Sequence, residues 1–118
     1  MRLPLALLAI AAVLVPATSA DARRKATKSE KRAISEIFNA PPKCSKVFVS
    51  TVDAHWASYQ FNAAKIDVSP CEQVAADGIA VVRKSGGRWR FVTAGSSFEC
   101  PVPDVPRKVA KDLHVRCH

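Results

Sequence analysis

The fold is decided by the stretch Ile79-Ala80-Val81-Val82-Arg83-Lys84-Ser85-Gly86-Gly87-Arg88-Trp89-Arg90-Phe91-Val92-Thr93. Two runs of β-branched and aromatic residues flank adjacent glycines, which supply the positive φ that a tight hairpin turn needs. The two-residue loop is either Gly86-Gly87 or Ser85-Gly86. Both registers place four apolar side chains on one face, which we expect to meet a helix: Ala80, Val82, Trp89 and Phe91. Three arginines, Arg83, Arg88 and Arg90, then point the other way.

A helix and a second hairpin precede this stretch. Thr27-Lys28-Ser29-Glu30 has the form of a capping box, and an apolar stripe at helical spacing follows it: Ala33, Ile34, Ile37 and Phe38. The pattern predicts a helix over 28–39, ended by Pro41-Pro42. Residues 46–52 and 55–61 are extended in pattern around a turn at Asp53-Ala54, and they predict the first hairpin.

A long loop and a second helix complete the pattern. Residues 62–78 read as a loop, and Asp104 reads as the cap of a C-terminal helix with Pro106 in its first turn. The apolar side of that helix is Val105, Val109, Ala110 and Leu113. We therefore expect an α+β domain in which an N-terminal helix and a C-terminal helix accompany a four-stranded antiparallel sheet made of two hairpins.

The N-terminus has the three-part layout of a secretory signal. One positive charge at Arg2 precedes a short apolar run and a small-residue region that ends at Ala20. The run is shorter than the roughly 20 residues that span a bilayer as a helix. We predict a signal peptide at 1–20, with cleavage after Ala20 or, as the competitor, after Ala22. A basic flexible segment at 21–27 and a single α+β domain at 28–118 would follow, and the mature chain would be secreted without an integral membrane span.

Four cysteines are widely spaced along the chain: Cys44, Cys71, Cys100 and Cys117. In an exported chain this spacing predicts two disulfides, because structural zinc sites usually show two close ligand pairs. Four cysteines allow three pairings. Pairing in sequence order, Cys44–Cys71 and Cys100–Cys117, needs no crossing of the chain and is our prediction.

The chain is basic, with 18 Lys and Arg against 10 Asp and Glu. Six of the basic residues lie between positions 23 and 32: Arg23, Arg24, Lys25, Lys28, Lys31 and Arg32. Such a run is either a solvated tail or a weak anion-binding segment that attaches to a polyanion.

Parts of the chain resemble a group of small secreted actinobacterial proteins of uncharacterised function. The similar motifs are Val49-Ser50-Thr51-Val52-Asp53-Ala54-His55-Trp56-Ala57, Gly86-Gly87-Arg88-Trp89-Arg90 and the pattern Cys100-Pro101, Val105-Pro106, Asp112-Leu113 and Cys117. The resemblance covers about 46–118. It implies no activity, but it implies a bacterial origin and supports the pairing of Cys100 with Cys117.

An enzyme of the small ribonuclease type would use a carboxylate, a histidine and arginines, for which the chain offers His55, Glu72, Arg83, Arg90 and His114. The predicted elements do not place these five together. Ser96 and Ser97 follow Gly95 without the nucleophile-elbow pattern. The sequence therefore names no catalytic residue, metal ligand or cofactor.

We expect a small exported non-catalytic domain that binds a partner or associates with the cell envelope. Its expected partner is an anionic cell-wall polymer or an unidentified protein, rather than nucleic acid. An enzyme inhibitor that presents the loop 62–78 is a special case, because a disulfide-pinned loop loses little entropy on binding. The alternative is a secreted hydrolase of the small ribonuclease type.

Overall fold

A computed structural model describes residues 22–117, and the predicted signal peptide lies outside this part of the chain. The fold is α+β, built on an antiparallel sheet whose strands lie side by side in chain order. The strands are β1 (Arg24–Lys25), β2 (Ser45–Val49), β3 (Trp56–Phe61), β4 (Ile79–Ser85) and β5 (Arg88–Gly95). The helices are α1 (Lys28–Ile37) and α2 (Arg107–Asp112).

The sheet has five strands where the sequence predicted four. The additional strand is β1, in which Arg24 pairs with Val49 and Lys25 with Phe48. These two residues belong to the segment that we expected to be flexible. The pairing arises because Val49 and Phe48 lie in the strand at the open edge of the first hairpin, and this edge offers backbone partners to any extended chain beside it.

The register of the β4–β5 hairpin resolves the two alternatives in favour of the loop Gly86-Gly87. Lys84 faces Trp89, and the glycines adopt φ values of 61° and 77°. A bulge separates Val81 from Val82, so the strands twist more strongly at that point. The register confirms that Arg83, Arg88 and Arg90 share the face opposite to Trp89.

The first hairpin forms from β2 and β3 with a longer connection than the predicted turn at Asp53-Ala54. Ser45 faces Phe61 and Val49 faces Ala57 across the two strands. The connection therefore spans residues 50–55.

Helix α1 covers one face of the sheet. Its capping box is confirmed, because Thr27 Oγ1 accepts a hydrogen bond from the Glu30 amide at 3.1 Å and Glu30 Oε1 accepts one from the Thr27 amide at 2.9 Å. The helix ends at Ile37, two residues before the predicted end. Ile34 is fully buried in a cluster with Val47, Val49, Ala57 and Val82. Ala33, which we placed in the apolar stripe, is exposed instead.

The C-terminal segment covers the opposite face. Its predicted apolar side is confirmed, since Val105, Val109, Ala110 and Leu113 are all buried. They form a second cluster with residues of the sheet, of the connector before the helix and of the chain after it: Trp56, Val81, Phe98, Val102 and Val115. The expectation that Asp104 caps this helix is wrong. Asp104 has a φ of 60°, and the helix begins at Arg107 after Pro106, because proline fits the start of a helix without needing its amide donor.

The aromatic residues of the sheet differ in how deeply they are buried. Trp56 is buried, but Trp89 is only half-buried, and Phe91 is 52% exposed. Phe91 contacts the edge of Phe38 with 6.2 Å between ring centroids. The short helix α1 therefore covers only part of the face that the hairpin offers.

Both predicted disulfides are present. Cys44 pairs with Cys71 and Cys100 pairs with Cys117, with Cα–Cα distances of 5.3 Å and 5.1 Å. They close loops of 27 and 17 residues. In the chain-entropy description, each closure stabilises the folded state by roughly 3 kcal/mol.

A buried polar contact ties the C-terminal helix to the first hairpin. Ser50 Oγ donates to Asp112 Oδ2 at 2.7 Å, and the Thr51 amide donates to the same oxygen at 2.8 Å. Ser50 Oγ also accepts from the amides of Val52 and Asp53 at 3.0 Å and 3.1 Å. One hydroxyl therefore shapes the 50–55 loop and fixes it to a residue 62 positions away.

Ser50→Ala should lower the free energy of unfolding by about 1–3 kcal/mol. The substitution removes one donor from a buried carboxyl group and the shared acceptor from two loop amides. Denaturant unfolding with both disulfides intact measures the change. Ser97→Ala, at an exposed position, is the matched control and should change stability by less than about 0.5 kcal/mol. Equal effects of the two substitutions would show that the Ser50–Asp112 contact contributes nothing.

Candidate functional site

The six basic residues between positions 23 and 32, which we call the N-terminal basic cluster, do not all point freely into solvent. Arg24 forms a two-point ion pair with Glu30, with N–O distances of 2.8 Å and 2.9 Å. Arg23 places its guanidinium 3.8 Å from the centre of the Phe48 ring. Two of the six residues that we predicted to bind anions therefore make contacts within the domain.

The other four members of the cluster lie on β1 and α1. Lys28 and Arg32 are exposed on the helix. Lys25 and Lys31 line a surface groove of about 380 Å³ together with Lys46. The carboxylate of Glu30 sits within this cluster, and it offsets part of the positive charge that a polyanion would meet.

The Arg24 guanidinium, which donates to Glu30, holds the pKa of that carboxyl well below its usual range, at about 2, and the Thr27 amide adds to this effect. A lowered carboxyl pKa stabilises the folded state above the unfolded pKa, and the benefit disappears as the pH falls through the folded value. Stability from this ion pair is therefore complete above pH ~5 and is lost between pH ~5 and ~2.

Glu30→Gln should lower the free energy of unfolding at neutral pH by up to about 1 kcal/mol, since Arg24 is 42% exposed and solvent screens the pair. Glutamine can still close the capping box, so the loss reports the ion pair. Denaturant unfolding at a series of pH values should show the difference shrink between pH ~5 and ~2. Glu36→Gln, an exposed carboxylate on the same helix, should have no comparable effect. A Glu30→Gln deficit that persists unchanged at low pH would contradict the assignment.

A denser group of basic side chains lies at the far end of the β4–β5 hairpin. We call it the basic arm, and it comprises Arg83, Lys84, Arg88 and Arg90, which are all exposed. No Asp or Glu occurs between positions 78 and 98. Arg83 lies directly opposite Arg90 across the two strands, and like charges in that position destabilise a sheet. Among the described residues, Arg88 and Arg90 form no ion pair.

The basic arm borders a polar groove of about 500 Å³. The groove is lined by Arg83, Lys84, the turn glycines and two residues of the 50–55 loop, Asp53 and His55. The Lys84 amide donates to the His55 carbonyl at 2.7 Å, which joins this loop to the end of β4. The Arg83 guanidinium also lies 5.5 Å from the centre of the Trp56 ring.

Asp53 and His55 interact at the mouth of the groove. The His55 amide and its Nδ1 both lie 3.0 Å from Asp53 Oδ1. The hydrogen bond from the His55 amide is the main cause that lowers the pKa of the Asp53 carboxyl, and the imidazole adds to it. The spacing Asp-x-His within a turn is the sequence signal for this pair, and our sequence analysis missed it.

The five ribonuclease candidates do not form one site. His55 and Arg83 share the polar groove, and Arg90 lies across the hairpin from Arg83. Glu72 lies in a 3₁₀ turn beside the Cys44–Cys71 disulfide, and His114 lines a separate cavity next to Cys117. We did not expect these five residues to meet, and the carboxylate that contacts His55 is Asp53, which was not among the candidates.

The loop 62–78 contains two 3₁₀ turns, Ala63–Lys65 and Cys71–Val74. Between them, Ile66 and Val68 are 45% and 36% exposed. Two apolar side chains thus project from a segment that the Cys44–Cys71 disulfide ties to the sheet.

Residues 22–117 contain no group of three or more His, Cys, Asp or Glu side chains placed to hold a metal ion. Within the same range, neither helix has the length and hydropathy needed to cross a membrane. No protein-family model, curated protein or solved structure matches this chain.

Proposed function

We propose that this protein is a small exported non-catalytic domain that binds an anionic polymer of the cell envelope through the basic arm. The observation that carries the proposal is the concentration of four exposed cations on one hairpin without a carboxylate between positions 78 and 98. Export is supported by the signal-like N-terminus, and the two disulfides fit an oxidising compartment.

The like-charge pair of Arg83 and Arg90 supports a functional role for the arm. Repulsion across the strands costs folding free energy. Asp53, which borders the same groove, attracts Arg83 and offsets part of this cost, whereas Arg90 forms no ion pair among the described residues. An anionic ligand would relieve that repulsion, so part of the energy lost in folding returns as affinity. Three of the four cations are arginines, whose planar fork matches phosphate and carboxylate groups in two-point contacts.

The shape of the arm suits a polymer better than a compact ligand. The cations extend along both strands of an exposed hairpin, and the polar groove beside them is open. A chain of repeated anionic groups can contact several arginines at once. The N-terminal basic cluster adds long-range attraction, which salt screens over about 10 Å at 0.1 M ionic strength.

Substitution of Arg88 and Arg90 by Gln should reduce the salt concentration at which the oxidised protein elutes from a phosphate-bearing column. Lys43→Gln with Lys108→Gln is the matched control, because it removes the same charge from exposed positions outside the arm. We expect the arm variant to elute clearly earlier than the control variant, and both to unfold like the parent protein. Equal shifts in the two variants would mean that net charge alone causes retention.

An inhibitor role is a variant of this non-catalytic proposal. The exposed side chains of Ile66 and Val68 on a disulfide-tethered loop support it, since a preformed loop loses little entropy on binding a protein. This surface lies on a different segment from the basic arm.

The second candidate function is hydrolysis of the small ribonuclease type, and the Asp53–His55 contact favours it. Asp53 would fix the tautomer in which Nδ1 carries the proton, so that Nε2 could accept a proton from an attacking hydroxyl. Arg83 borders the same groove and would attract the phosphate. The groove contains one imidazole, whereas acid–base catalysis of this reaction also needs a group that protonates the leaving oxygen.

We expect the purified oxidised protein to leave single-stranded RNA intact, because the groove holds a single histidine, the residue that serves most often in acid–base catalysis. Gel analysis of RNA incubated with the parent and with His55→Ala gives the answer. Cleavage by the parent that His55→Ala abolishes would establish the hydrolase. His114→Asn, which changes the histidine at the C-terminal cavity, controls for contaminating nucleases, since they would act equally in both variants.

A further inference from the structure

A cavity of about 550 Å³ lies between α2, the chain that follows this helix and the Cys100–Cys117 disulfide. Its volume falls within the range of roughly 300–1,000 Å³ that is usual for small-molecule sites. Val102, Ala110 and Val115 line its interior and are themselves buried in the C-terminal core. The interior is therefore apolar and continuous with the C-terminal core.

The mouth of this cavity is basic. Four basic residues line it: Arg107, Lys111, His114 and Arg116. No Asp or Glu is among the lining residues. Arg107 and Lys111 are four positions apart and lie on the same side of α2, where like charges repel each other and destabilise the helix.

The walls of the cavity are held in place before any ligand binds. The Cys100–Cys117 disulfide forms one wall, and a parallel β-bridge between the backbones of Phe98 and Cys117 lies beside it. Leu113 is fully buried and fixes α2 against the sheet. A ligand that enters this cavity would order few side chains, which keeps the entropic cost of binding low.

We propose that this cavity binds a small amphipathic anion, with a hydrocarbon body among Val102, Ala110 and Val115 and a carboxylate head at Arg107 and Lys111. Burial of the hydrocarbon body in the apolar interior favours binding, because it removes hydrocarbon from water. At the basic mouth only a negative head group favours binding, because a neutral head makes weaker hydrogen bonds and a cation is repelled. The inference goes beyond polymer binding and uses a different part of the molecule from the basic arm.

Titration calorimetry with dodecanoate, below its micelle concentration, tests the proposal on the full-length oxidised protein. We expect one equivalent to bind, and we expect dodecanol to bind at least about tenfold more weakly because it lacks the charge. Lys111→Gln should weaken dodecanoate binding by about three- to tenfold, and the double substitution with Arg107→Gln should weaken it further.

Lys108→Gln is the matched control, because this exposed lysine lies on the same helix but outside the cavity lining. It should bind dodecanoate within about twofold of the parent. Substitution of Arg88 and Arg90 should leave dodecanoate binding unchanged, which separates this site from the basic arm. Failure of dodecanoate to bind, equal binding of dodecanol, or equal losses in the Lys108 and Lys111 variants would each overturn the proposal.

Discussion

Strands β3 and β4 are buried on both faces where residues 56–58 lie beside residues 80–82, and the rest of the structure depends on this constraint. Successive residues of a strand point to opposite faces, so Ala57 and Val82 join the cluster under α1, while Trp56 and Val81 join the cluster under the C-terminal segment. Each face of such a sheet must be shielded from water by a separate element. Helix α1 shields one face and the C-terminal segment with α2 shields the other, and both helices are short.

Because both helices are short, each is also held to the sheet by polar or covalent contacts. Helix α1 has ten residues and is anchored by its capping box and by Glu30, which also holds Arg24. Helix α2 has six residues and is held at Asp112 by Ser50 and, further on, by the Cys100–Cys117 disulfide. The pairing of β3 with β4 begins at Trp56 and Arg83, and the exposed cations of the basic arm lie between this point and the β4–β5 turn.

Sequence reasoning succeeded where the signal is local. Two glycines define the β4–β5 turn, and Thr27 with Glu30 defines the start of α1. It failed where a feature depends on a distant partner. The strand Arg24–Lys25 exists only because β2 has an open edge, and the contact of Ser50 with Asp112 spans 62 positions without any local pattern. Among the candidate site residues, the alternation of side chains along the hairpin correctly placed the arginines on one face. The polar groove and the C-terminal cavity could not be predicted, because they form between segments that are distant in sequence.

The two proposed anion sites differ in the force that would govern them. The side chains of the basic arm are exposed, so their attraction to an anion is Coulombic, has a range of about one Debye length and falls as salt increases. Such a surface attracts anionic chains of many kinds and discriminates weakly among them. In the C-terminal cavity, the apolar interior contributes in proportion to the hydrocarbon area that it removes from water, and this contribution is insensitive to ionic strength. Under these two proposals, selectivity for a particular ligand would come from the cavity, and long-range attraction to an anionic surface would come from the arm.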